Sequence, residues 1–202
     1  MLKSPNSTNR FLIIYSCITT VGLAMMLMAF KNVKETFDEI SVKRINIVDD
    51  KGNNRIVIAN EERTPPPMVG GQTYKRRFNP AGFIFYDEKG NECGGLAMAK
   101  ANGSGFRVMA FDYDNNDAIG IITQEDLAGK NFSAGLMVND KVPGAPLGSG
   151  VNRINLNTTN GVAGLQINGP DGKVRLRLMV DSLGTPYLET MDAKGKVVKK
   201  VI

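Results

Sequence analysis

A chain of 202 residues with 25 Lys and Arg, 20 Asp and Glu, two Cys and no His has room for one domain plus an anchor or tail, with a core that needs no disulfide staples. Without histidine it has no imidazole base, no Ser-His-Asp or Cys-His relay, and no histidine ligand for zinc, copper or haem. Twenty-two Gly and nine Pro in a chain that is 42% hydrophobic point to many turns between short elements, hence to β structure rather than a helix bundle.

Phe11 to Phe30, FLIIYSCITTVGLAMMLMAF, carries no charge, and its polar residues are Ser16, Thr19 and Thr20. As an α-helix this stretch spans about 30 Å, the thickness of a bilayer's hydrocarbon core, so residues 11–30 are read as a transmembrane helix in contact with lipid. A cleaved signal peptide competes, since Lys3 and Arg10 supply a basic flank. The apolar run is nevertheless longer than the usual core of about 7–15 residues, and no small-x-small site precedes Lys31. The expected arrangement is a signal anchor: residues 1–10 as a short cytoplasmic tail, one span, and an extracytoplasmic C-terminal domain. Lys31, Lys34, Lys43 and Arg44 on the far side weigh against that orientation.

Val33, Phe37 and Ile40 are spaced for one helical face, which predicts a helical stalk over residues 31–41. Setting aside Lys3 and Arg10 leaves 23 basic against 20 acidic residues, a net charge of +3. That balance does not make a nucleic-acid footprint, and the one dense cluster, Lys75-Arg76-Arg77, reads as a solvated loop.

From Val42 the period changes. Strand-forming residues, a turn cluster and strand-forming residues recur around Asp49–Asn53, Asp87–Asn91, Gly169–Lys173 and Asp192–Lys196, with degenerate copies around Asp112–Asn116 and Asn139–Lys141. The expected fold is therefore all-β: antiparallel hairpin repeats over residues 42–202, interrupted by an insertion at 61–81. In Arg175-Leu176-Arg177-Leu178 the two residue types take opposite faces, so that strand is half exposed, whereas Phe83-Ile84-Phe85-Tyr86 is apolar on both faces and belongs nearer the centre. Such hairpins must hide their edges by closing into a barrel or prism, by packing as a sandwich, or by pairing with another subunit, and the sequence leaves these open.

Lys43-Arg44-Ile45-Asn46-Ile47-Val48, Arg63-Thr64-Pro65, Gly82-Phe83-Ile84-Phe85-Tyr86-Asp87-Glu88 and Arg175-Leu176-Arg177-Leu178 with Gly184 resemble blocks of a group of bacterial, Bacteroidetes-like single-pass membrane proteins described only as hypothetical. The resemblance covers roughly residues 43–200, apart from Asn131–Asn160. It implies a bacterial source and an exported all-β domain, and it carries no activity or site residues.

Three features are candidate sites. Asp112, Asp114 and Asn116 place side-chain oxygens at alternate positions, as in the opening of a calcium loop. However, Asp117 stands where the turn Gly belongs and Thr123 where the bidentate Glu belongs, so a polar hairpin turn competes. Arg63-Thr64-Pro65-Pro66-Pro67 within the insertion is either a polyproline docking segment or a stiff strap over the domain edge. A carboxylate pair for glycan hydrolysis would come from Glu92, Asp112 or Glu125. Gly94-Gly95 lacks the Gly-Lys-Ser/Thr of a phosphate loop, lone Cys93 reads as a small apolar residue, and no cofactor is expected. The sum is a non-enzymatic binding or scaffold module at the envelope membrane, with a protein partner or further copies of itself. A carboxylate enzyme acting on an envelope glycan and a calcium-dependent adhesion module are the alternatives.

Overall fold

The computed structural model describes residues 7–29, 36–126 and 128–201 and divides into two units, Met1–Ser41 and Val42–Ile202. Among the described residues of the first unit there is one helix, α1 (Ser7–Ala29), which contains all of the expected span except Phe30, itself outside the described residues. Its 23 residues reach about 34 Å, long and apolar enough to cross a membrane. Thr19 satisfies its hydroxyl within the helix by donating to the Tyr15 and Ser16 carbonyls at 2.9 and 3.0 Å.

The stalk does not continue this helix through its described part. Residues 36–41 are irregular, with Phe37 and Ile40 exposed, and residues 31–35 lie outside the described residues. Spaced apolar residues with nothing to pack on do not stabilise so short a helix.

The second unit is one antiparallel sheet of twelve strands. In chain order these are β1 (Arg44–Val48), β2 (Asn54–Ala59), β5 (Ala81–Tyr86), β6 (Glu92–Ala101), β7 (Ser104–Asp112), β8 (Asp117–Asp126), β9 (Phe132–Asp140), β10 (Val151–Thr159), β11 (Val162–Asn168), β12 (Val174–Val180), β13 (Pro186–Met191) and β14 (Val197–Val201). The insertion supplies β3 (Met68–Val69) and β4 (Gln72–Thr73), a small separate hairpin. Each strand of the large sheet pairs with the next, and the order ends at β1 and β14. The fold is all-β as expected, and the sheet is open, so of the alternatives left by the sequence the closed barrel is not the one adopted. Among the described residues the strands that pack extensively on one another are sheet neighbours, and mid-sheet Met109, Ile121, Leu156 and Leu178 are exposed, so no second layer of sandwich or prism type covers them.

Local chemistry explains the meander. In the β5–β6 turn, Asp87 Oδ1 accepts from the Lys89 and Asn91 amides, both at 2.8 Å, while the Gly90 amide donates to the Asp87 carbonyl at 3.1 Å. Gly90 has φ +80°, a conformation costly for any residue with a Cβ. Asp49 and Asp192 hold their turns in the same way. So does Asp181, in a turn of the same pattern that was not recognised in the sequence. At Gly169–Lys173 a glycine takes the place of that aspartate, and Asp171 caps the Lys173 amide instead. Two further hairpins turn on Asn102-Gly103 and Asn160-Gly161, whose asparagines have φ +50° and +49°, the two-residue turn that suits the strand twist. The degenerate copy at Asn139–Lys141 is not a tight turn: β9 runs through Asp140 and a loop of residues 141–150 follows.

The buried apolar residues are Val57, Ala59, Ile84 and Tyr86, all on one face of β2 and β5. The insertion belongs to this same face: Phe78 stacks on Phe106 at 6.4 Å, and Arg76 ion-pairs with Glu92 and donates to the Pro65 carbonyl at 2.9 Å. Glycine makes the close strand approach beside it possible, since a Cβ on Gly82 would lie 1.9 Å from the Leu96 carbonyl oxygen.

Candidate functional site

Two features stand apart from ordinary sheet structure. The first is a concavity of about 360 Å³ at the turn end of the sheet, formed by the β7–β8 turn, the 141–150 loop, Glu92 and the edge of the strap at Pro67 and Val69. Asp112 and Asp117, the last residue of β7 and the first of β8, are register partners here. Burial, followed by the charge of Asp117 and a hydrogen bond with its carboxyl, pushes the Asp112 pKa up to about 7. Asn115 is buried and donates to the Val142 and Ala145 carbonyls at 2.9 and 3.2 Å, tying the turn to the loop. Asp112 Oδ1, Asn115 Oδ1 and Asn116 Oδ1 are buried without a protein partner.

All three calcium candidates, Asp112, Asp114 and Asn116, line this concavity, but Asp114 is turned to an ion pair with Lys141 at 2.8 Å. Among the described residues no group of three or more His, Cys, Asp or Glu side chains is placed to share a metal ion. Of the carboxylates considered for hydrolysis, Glu92 and Asp112 come together here, and Glu92 is engaged by Arg76. Glu125 is left out: it pairs with Gly105 and Phe132 at the opposite end of the strands. Burial, then the charges of Asp87 and Asp112, raise the Cys93 thiol pKa, which disfavours the thiolate that a nucleophile requires.

The second feature is the face of the sheet opposite the strap. Residues paired across strands share a face, so the registers can be followed from edge to edge. Ile45, Ile58, Phe83, Leu96, Met109 and Ile121 stand in line across β1, β2, β5, β6, β7 and β8. Leu136, Leu156, Leu165, Leu178, Leu188 and Val201 continue the line across β9 to β14. Every strand of the sheet contributes an apolar residue to this row. A neighbouring row from Ile47 to Leu176 is apolar except at Gly94, where Phe85 and Phe111, its partners on either side, stack at 6.2 Å. Seven of the twelve residues of the principal row are exposed, Leu156 the most at 56%, and the other five are half-buried.

On the strap side the C-terminal strands present Asn155, Gln166, Arg177, Glu189 and Lys200 in register instead. The alternation read in Arg175–Leu178 is present, with the leucines on the open side: Leu178 is exposed, while Arg177 pairs with buried Glu189 at 3.5 Å. Similarly, Ile84 and Tyr86 are buried whereas Phe83 is exposed, and β5 is the third strand from one edge rather than central. The apolar row is not apparent from the sequence, although each of its residues is visible there. Its signal is an apolar residue at the same register in every strand, which requires the pairing to be known.

Compared with known proteins, the chain matches no family model, and no match to a curated protein is found.

Proposed function

We propose that this chain is a membrane-anchored assembly module of the bacterial envelope, which α1 tethers and whose β domain works by covering its apolar face with protein. The observation that carries this reading is the row of twelve apolar residues, one from each strand, left open on one side of a single-layer sheet. Exposed contiguous apolar surface of this extent marks an interaction site on a folded protein. The resemblance to bacterial single-pass proteins and the short basic N-terminal tail support an envelope setting with the β domain outside the cytoplasm. Purification of the full chain in mild detergent with mass measurement tests the reading. A complex of defined mass is expected, reduced to the single chain by Leu156→Glu with Leu178→Glu. A single chain of wild-type sequence and 21.9 kDa, with no companion, would refute it.

A second reading, calcium-dependent adhesion, is favoured by the orphaned oxygens of Asp112, Asn115 and Asn116 around one concavity. Calcium prefers a mixture of carboxylate and amide oxygens of this kind.

A further inference from the structure

We infer that the occupant of the apolar face is a second copy of this chain, packed face to face; the inference rests on the assembly reading and names its partner. The size fits. The principal row crosses twelve strands and the neighbouring row ten, and at about 4.8 Å per strand and about 7 Å per row the two cover about 740 Å². That is close to the roughly 800 Å² each partner contributes to a stable interface.

The chemistry also fits. The principal row contains no charged residue, so it calls for a partner surface that is apolar along its whole length. A second sheet of the same twist, width and row spacing supplies one, and packed sheets interdigitate their side chains at about 10 Å. Charges of both signs, Lys100, Arg107 and Lys199 against Glu125 and Asp140, lie on the same face outside the two apolar rows, so self-association does not oppose surfaces of a single sign. Of the two sheet edges, β14 carries Lys199 and Lys200, whereas β1 is a short strand of five residues, Arg44–Val48. The open face is by far the larger apolar surface and is where copies join.

The distribution of buried residues shows what such pairing adds. Among the described residues, none of the buried hydrophobic side chains lies beyond Tyr86, so β6 to β14 have no buried apolar core of their own. A second copy seated on the row would cover these strands and stabilise them by mass action.

Thiol cross-linking of the full chain in the membranes of the expressing cell, with Cys17 and Cys93 replaced by Ser and a bismaleimide long enough to bridge sheets about 10 Å apart, tests this. Leu156→Cys, within the row, is expected to yield a covalent dimer of two identical chains with the bismaleimide. Asn157→Cys, one residue along and on the other face, is expected to yield at least tenfold less. Because Leu156 is already exposed in the single chain, its replacement by Cys leaves the β10 pairings intact, and protease resistance equal to that of the parent chain verifies folding in each variant. A Leu156→Cys chain that stays monomeric but carries a stoichiometric different protein overturns self-pairing and leaves the assembly reading standing. A folded Leu156→Cys chain that stays monomeric and carries no companion overturns both. Equal cross-linking at the two positions overturns the face-specific geometry.

Discussion

Asp112 and Asp117 stand opposite each other as register partners at the mouth of the β7–β8 turn, so two carboxyl groups meet where only one is comfortably ionised. The first prediction follows from the resulting pKa of about 7 for Asp112, set chiefly by burial and by the Asp117 charge. In the unfolded chain the same group ionises near its ordinary value of 3.8. Between those two values the folded state holds more protons than the unfolded state, so this pair lowers stability as the pH rises from about 4 to 7. Asp112→Asn removes that term. It is expected to raise stability at pH 7.5 by on the order of 2 kcal/mol and to flatten the pH dependence above pH 4, as read by urea denaturation at several pH values. An unchanged profile would mean that the two carboxyls do not share a proton.

The turns and the strands were legible because their chemistry is local. Asp87 and Gly90 sit three residues apart and make the turn themselves, and the Asp181 turn obeys the same rule. The Asn102-Gly103 and Asn160-Gly161 turns are a different and equally local device, overlooked beside the longer repeat. What was not legible is register and cover. Arg177 and Leu178 alternate as the sequence implies, yet the polar partner Glu189 draws the arginine's face inward while the leucine's face stays open. Likewise, bringing Asp112 together with Glu92 and the 141–150 loop depends on the pairing of β6, β7 and β9, which no single segment encodes.

Calcium binding would act on the same pocket. A divalent cation seated on Asp112, Asp117 and Asn116 would relieve the carboxylate repulsion and engage oxygens that have no partner in the protein. With 1 mM calcium the melting temperature is expected to rise by several degrees, and the rise is expected to vanish in Asn116→Ala combined with Asp117→Asn. Identical melting curves with and without calcium would leave the pocket as a structural turn.

Glu189 is enclosed by Arg177 at 3.5 Å and Lys200 at 3.4 Å, one from each neighbouring strand, and is 8% exposed. Glu189→Gln leaves half-buried Arg177 facing a neutral amide, while Lys200, its side chain 48% exposed, stays solvated. A loss of about 1 kcal/mol is expected, mainly from Arg177. Substituting Arg177→Met in the same chain should recover part of that loss, and additive losses in the double variant would show that the two residues are not coupled.

Gly82 offers the most direct test of the β5–β6 pairing. A Cβ there would stand 1.9 Å from the Leu96 carbonyl oxygen, and φ is +149°, so Gly82→Ala strains the backbone and forces the strands apart. The four buried apolar residues lie on β2 and β5, so the same separation disturbs the only core the described residues contain. A destabilisation of at least about 2 kcal/mol is expected. Gly52→Ala provides the reference, because its φ of +85° carries strain but its Cβ would meet nothing within 4 Å, and its cost should stay near 1 kcal/mol. Equal costs at the two glycines would show that β5 does not pack against β6 as closely as the register requires.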